Sequence, residues 1–118
     1  LNIEDKVIFV GNVPNVNEYL SAMDVFVMPS LHEGFPVVLV EAQSSGLKTY
    51  VSKEAVPLET NVTGLIKYIS LVEKPDIWAK EIVDNYVKDN RLGYVEKIKE
   101  CNYDISVVAK ELEKFYLE

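Results

Sequence analysis

Apolar positions along the chain fall into short β-branched runs separated by longer stretches of helical spacing. Lys6-Val7-Ile8-Phe9-Val10 reads as a buried strand, ended by Gly11-Asn12. Asn15 then suits a helix cap, and Glu18, three residues on, completes a capping box. That helix carries Tyr19, Leu20 and Met23. Asp24-Val25-Phe26-Val27-Met28 is the next expected strand, stopped by Pro29. Leu47-Lys48-Thr49-Tyr50-Val51 and the shorter Leu65-Ile66-Lys67-Tyr68-Ile69 follow as third and fourth strands.

Val37-Val38-Leu39-Val40 has strand propensity, yet its surroundings predict a helix over Pro36 to Ser45. Proline fits the first helical position, and Gly46 stands where a helix ends. A strand so soon after Met28 would also leave no room for the crossover that a parallel pair needs. Farther along, Ile77, Trp78, Ile82, Val83, Tyr86 and Val87 predict a helix over Asp76 to Lys88. Asp104 predicts the cap of a last helix whose apolar side holds Val107, Val108, Leu112, Phe115 and Tyr116.

Strands separated by helices indicate an α/β chain with a doubly wound parallel sheet and C-terminal helices. No repeat, low-complexity tract or linker divides the 118 residues, so one domain is expected. The chain opens on Leu1 without methionine, as expected of a processed or trimmed chain or a fragment of a longer polypeptide.

Composition narrows the classes. Hydrophobic content of 48% and charged content of 26% are ordinary for a globular chain. No run of about 18 apolar residues is present, and the first ten residues lack the basic-then-apolar pattern of a signal peptide. A net charge of −7 argues against nucleic acid as a partner and against charge-driven binding to anionic membranes. The lone Cys101 excludes an internal disulfide and a cysteine zinc site, and is expected as a buried or half-buried helix residue. No metal site is expected, and one cysteine is compatible with a reducing cytoplasm.

The candidate chemistry lies in Ser30-Leu31-His32-Glu33-Gly34-Phe35-Pro36 and the segment after it. A helix N-terminus presents unpaired N–H groups and partial positive charge, which attract phosphate; a glycine there lets the backbone come close. In an open α/β sheet, ligands bind outside the carboxyl ends of the strands, where this loop is expected. Glu33 precedes the helix. Glu41 lies about 7–8 Å along its axis at 1.5 Å per residue, with its side chain leaning back toward the N-terminus. Val37, Val38, Val40 and Ala42 surround it, and a carboxylate buried there would need a partner. A ribose 2′,3′ diol can donate two hydrogen bonds to one carboxylate, so a diphosphate at the helix end, ribose beside Glu41 and sugar beside Glu33 form one workable arrangement. Either glutamate could equally be a structural cap or part of a packed salt bridge.

The order of these pieces resembles the group 1, or family 4, retaining glycosyltransferases of GT-B fold. The counterparts are Phe9-Val10-Gly11, then Ser21-Ala22-Met23-Asp24-Val25-Phe26-Val27-Met28-Pro29-Ser30, then Glu33-Gly34-Phe35-Pro36, Glu41-Ala42 and Gly46. The matching part runs from about Lys6 to Leu71. The resemblance implies a Rossmann-like sheet forming the C-terminal part of a nucleotide-sugar donor-binding domain over residues 1–118, with the N-terminal acceptor domain absent from the chain. It implies Glu33 as the catalytic-site residue meeting donor-sugar hydroxyls, and Glu41 as the holder of the ribose diol. Gly34, Phe35, Pro36, Val37 and Val38 would line the sugar and diphosphate, and Gly11 and Glu59 are further candidates. No cofactor or metal is implied. The partners implied are a nucleoside-diphosphate sugar and, through the missing domain, a glycan or lipid-linked acceptor, in a cytoplasmic enzyme of bacterial surface-polysaccharide assembly working at the inner membrane face through its missing parts.

Two departures stand out. Gly46-Leu47-Lys48 replaces the family's Gly-x-Pro, and the segment Ser52 to Gly64 lacks its Gly-Gly pair, although Glu59 and Gly64 align with a later glutamate and glycine. The family's phosphate-binding Arg and Lys and its acceptor-domain histidine are absent, so the chain alone is expected to be inactive. The rival expectation is a non-catalytic α/β module that binds a nucleotide or a partner protein.

Other residues draw plainer readings. His32 is expected as a loop histidine without mechanistic duty. Tyr50, Tyr68, Tyr86, Tyr94, Tyr103 and Tyr116 are expected in packing rather than on a ligand. Asn61-Val62-Thr63 matches a glycosylation sequon that a cytoplasmic chain would not use. The Lys and Glu residues over Glu96 to Glu100 and Lys110 to Lys114 are expected on solvated helix faces with i,i+4 pairs.

Overall fold

The computed structural model describes residues 1–88 and 90–117. Helix α1 spans Val16–Ala22, strand β1 Val25–Met28, helix α2 Val37–Ser44, strand β2 Lys48–Ser52 and strand β3 Ile66–Ile69. Helices α3 (Pro75–Asp84), α4 (Tyr94–Ile98) and α5 (Ile105–Leu117) follow, with a π turn, Lys99–Tyr103, between the last two.

The strands form one sheet in the order β1-β2-β3, both pairs parallel, with Phe26 opposite Thr49 and Val51 opposite Tyr68. Parallel neighbours need crossovers. Helix α2 supplies the first; residues 53–65, with a 3₁₀ turn at Leu58–Thr60, supply the second.

Side chains alternate across β2 and thereby build two layers. Val51 packs with Leu39 of α2, Val56 and Ile66 on one face. Tyr50 packs with Ile69 and Trp78 of α3 on the other. The sheet is therefore covered by helices on both faces, as a doubly wound α/β fold requires. Leu20, Ala42 and Leu47 extend the α2 side toward α1. Each fully buried aliphatic side chain contributes about 1.5–3 kcal/mol.

Helix α2 is buried at Leu39, Val40, Ala42 and Gln43, so it carries no clean apolar stripe. Polar packing holds it in place. The buried Gln43 donates from Nε2 to the carbonyls of Leu39 and Thr60, at 3.0 and 2.8 Å. Its Oε1 accepts from the Thr63 N–H and hydroxyl at 3.1 and 2.9 Å. One amide thus ties the second crossover to α2 at Thr60 and Thr63, and every polar atom of that amide is satisfied. Thr60 Oγ1, beside it, is buried without a partner among the described residues. At the far end of the sheet, Ser70 Oγ and the Leu71 N–H donate to the Glu54 carboxylate, and these bonds hold its pKa below the usual glutamate range.

Several expectations are corrected. Lys6 lies in a 3₁₀ turn and residues 7–10 form no strand, with Ile8 and Phe9 83% and 94% exposed. The apolar pattern is present, but among the described residues no strand pairs with it: the sheet holds β1, β2 and β3, with β1 at its edge. A strand needs neighbours on its edge and faces, which its own residues cannot supply. Asn15 does stand at the cap of α1, but its Nδ2 donates to Glu18 Oε2 at 2.6 Å instead of its oxygen accepting a backbone N–H. Pro36 occupies the cap position with extended backbone, so α2 starts at Val37. Helix α3 stops at Asp84; beyond it the exposed Tyr86 donates from its hydroxyl to Asp24 Oδ1 at 3.1 Å.

Cys101 is exposed, at the kink where Asn102 adopts φ 63°. The Lys and Glu residues of α4 and α5 are exposed, but no salt bridge joins them among the described residues; the i,i+4 pair that forms is Lys80–Asp84, in α3. Asp104 caps α5 as expected, accepting from the Ser106 N–H at 2.9 Å and its hydroxyl at 2.6 Å. No residue of α5 is buried, however, and the molecule measures 60 × 29 × 28 Å. Asn61 of the sequon turns its amide inward, onto Gly64 and Ile66.

Candidate functional site

The loop 29–36 leaves the carboxyl end of β1 and delivers the chain into α2. This is the edge at which parallel α/β sheets bind ligands. Helix α2 has no side-chain cap. The Leu39 N–H bonds the Pro36 carbonyl at 3.0 Å, and the N–H groups of Val37 and Val38 have no hydrogen-bond acceptor among the described residues. Proline at the cap offers neither a side-chain acceptor nor its own N–H. The helix end is therefore left as an uncompensated positive pole of the kind that receives anions.

Gly34 sits just ahead of it. Its φ is not in the left-handed region, and a Cβ built there would meet no atom within 4 Å. Neither backbone conformation nor internal packing requires glycine at this position. A residue without a side chain here leaves the approach to the helix end open from outside.

Glu33 is half-buried, and its Oε1 accepts the Ser30 hydroxyl at 2.6 Å. The Ser30 carbonyl accepts from Ser52 Oγ of β2 at 2.5 Å. Glu41 is exposed on α2, so the partner expected for a buried carboxylate is not demanded of it. It lines a groove of about 300 Å³ with Phe35, Val37, Val40, Ser44, Ile98 and Tyr103. Val37, Val40, Glu41 and Ser44 fall on one stripe of the helix by their three- and four-residue spacing. The π turn brings Tyr103 over this stripe, its ring stacked on Phe35 at 6.0 Å between centroids and 13° between planes. The groove offers an aromatic wall and a carboxylate without a partner among the described residues, beside a helix end that draws negative charge; the Ser44 hydroxyl donates to the Glu41 carbonyl at 2.9 Å.

Loop and helix thus bring Glu33, Gly34, Phe35, Pro36, Val37, Val38 and Glu41 into one region. Gly11 lies in an exposed loop with φ 67°, and no hydrogen bond ties it to residues 30–36 among the described residues. Glu59 is exposed in the 3₁₀ turn that Gln43 and Tyr68 tether to α2 and β3. His32 is exposed. Ser52 and Tyr103 were not legible as site residues. They sit 19 and 70 residues from Glu33 in sequence, and only the fold brings them near.

Comparison with known proteins gives these residues a context. Residues 1–86 match the model of the family described as "Glycosyl transferases group 1". The chain is 43% identical over 81 residues to "Putative glycosyltransferase EpsF" of Bacillus subtilis (strain 168), covering 69% of this chain and 21% of that protein. It is 44% identical over 55 residues to "UDP-Gal:alpha-D-GlcNAc-diphosphoundecaprenol alpha-1,3-galactosyltransferase" of Escherichia coli, covering 44% of this chain and 13% of that protein. It is 33% identical over 69 residues to "Vi polysaccharide biosynthesis protein VipC/TviE" of Salmonella typhi, covering 58% and 12%. The chain thus spans about a fifth or less of each of these relatives. No solved structure matches it significantly.

Proposed function

The chain belongs to the group 1 glycosyl transferases, and from that premise we propose that it is the C-terminal part of the donor-binding domain of a retaining GT-B enzyme. The donor is a nucleoside-diphosphate sugar. The acceptor is a growing glycan or a lipid-linked sugar, held by an N-terminal domain outside this chain, in bacterial surface-polysaccharide synthesis. The names of the relatives support this reading, since one acts on a diphosphoundecaprenol-linked sugar and another serves polysaccharide biosynthesis. No helix among the described residues is long and apolar enough to cross a membrane.

The observation that carries the proposal is the uncapped N-terminus of α2, flanked by Gly34 on one side and by the two glutamates. The diphosphate lies against the N–H groups of Val37 and Val38. As the glycosidic bond to the donor breaks, negative charge grows on the leaving phosphate, and fixed N–H dipoles at that spot stabilise it without reorganising. Glu41 accepts from the ribose hydroxyls and so fixes the nucleoside. Glu33 accepts from hydroxyls of the sugar and so fixes the face presented to the acceptor. Proximity and orientation of this kind are a large part of what catalysis needs.

The test is a transfer assay with nucleotide sugars and a lipid-linked acceptor. The complete polypeptide is expected to turn over and to keep the donor's anomeric configuration in the product, and the isolated 118-residue chain is expected to give no transfer. Inversion at the anomeric carbon, or clear turnover by the isolated chain, would contradict the proposal.

A further inference from the structure

We propose that Ser30 is a positioning residue for Glu33, anchored in turn by Ser52; this rests on the reading of Glu33 as the group that meets the donor sugar. The hydrogen bonds form a relay from the sheet to the site. Ser52 is fully buried at the end of β2, paired with Ile69 of β3. Its hydroxyl donates to the Ser30 carbonyl at 2.5 Å, fixing the loop at that residue. The Ser30 hydroxyl then donates to Glu33 Oε1 at 2.6 Å, within the range of a charge-assisted O–H···O⁻ bond.

The relay matters because the rest of the loop gives Glu33 little support. Leu31, His32, Gly34 and Phe35 are exposed. A glutamate on such a loop has many rotamers, and holding it for a ligand would cost that freedom at the moment of binding. Ser30 removes most of the freedom beforehand. It engages one carboxylate oxygen and leaves Oε2 to accept from sugar hydroxyls. Ser52 is the residue that makes Ser30 itself rigid, since it hangs the loop from the most buried strand. Supports of this kind decide whether a site is held to the productive geometry.

The experiment is a double-mutant cycle in the complete enzyme, with Ser30→Ala, Ser30→Thr, Glu33→Ala and the double variant Ser30→Ala/Glu33→Ala. Ser30→Ala is expected to lower kcat about tenfold, as the loss of one hydrogen bond to a charged group does, with nucleoside-diphosphate affinity unchanged. Ser30→Thr, which keeps the hydroxyl, is expected to restore most of the rate. In the Glu33→Ala background, Ser30→Ala is expected to cost nothing further. A tenfold loss that persists without Glu33, or a threonine variant no better than alanine, overturns the positioning role. Full activity of Glu33→Ala overturns the reading of the site itself, and the cycle separates that result from failure of the positioning alone.

Discussion

Glu33→Gln is expected to lower the rate of sugar transfer about a hundredfold or more while leaving the affinity for the nucleoside diphosphate nearly unchanged. The substitution keeps size and shape and removes the charge. A carboxylate accepts hydrogen bonds at both oxygens; the amide offers one acceptor and turns donors toward whatever faces its nitrogen. One of those faces is the Ser30 hydroxyl, so the amide also disturbs the bond that orients the side chain. Because the proposed contact is to the sugar, its loss falls on the complex in which the sugar is being transferred and spares the nucleotide alone. Glu41 provides the contrast. Its proposed partner is the ribose, which is bound alike before and during reaction. Glu41→Ala therefore raises the donor KM about ten- to a hundredfold with little change in kcat. Steady-state kinetics of both variants with the donor varied checks the pair. Equal effects of both on KM alone would remove the distinction between the two glutamates.

Gly46→Ala is expected to destabilise the fold by about 2–5 kcal/mol. Two independent costs meet at this position. Gly46 ends α2 with φ 66°, a left-handed conformation that a Cβ strains. The Cβ would also stand 2.7 Å from Arg91 Cβ, 2.9 Å from its Cα and 3.0 Å from its carbonyl oxygen. Two of those atoms are backbone and cannot swing aside. Arg91 is itself pinned, its guanidinium donating to the carbonyls of Ser21 and Met23 at the end of α1. The methyl group therefore pushes against a segment that clamps the C-terminal part of the chain to the first helix. Gly64→Ala is the control: φ is 81°, but no atom lies within 4 Å of its Cβ, so only the backbone cost applies. Urea unfolding of the two variants should rank Gly46→Ala well below Gly64→Ala, and equal midpoints would show that the Arg91 contact is not rigid.

The stretch from Asp24 to Ile69 was legible because local rules and tertiary structure agree there. Pro36 and Gly46 marked α2 as a helix, against the β-branched content of Val37 to Val40, although Pro36 proved to be its cap and not its first residue. Its burial on several sides explains why helical periodicity could not have shown it. The β-branched runs at Val25–Met28, Lys48–Ser52 and Ile66–Ile69 became strands because each has a neighbour to pair with. The equally apolar run at Val7–Val10 has none among the described residues and stayed irregular, which its own residues could not reveal.

Failures of detail have a common origin. Asn15 and Glu18 satisfy the capping-box pattern, yet the side chains bond each other, a choice of geometry that spacing does not encode. Cys101 was expected in helix packing and lies instead at a kink set by the αL residue Asn102. Within the site, the motif displayed Glu33, Gly34 and Glu41 by position. Tyr103 on Phe35 and Ser52 on Ser30 join distant segments, and only the folded chain brings them together.

A titration of the ¹⁵N-labelled complete protein with UDP, GDP or ADP, followed through its backbone amides, locates the donor site residue by residue. At least one of the three is expected to move the signals of Gly34, Phe35, Val37, Val38 and Glu41, with β3 and α3 undisturbed. Shifts confined to the opposite end of the sheet, around Lys48 and Arg91, or no shifts with any of the three, would contradict a donor site at the head of α2.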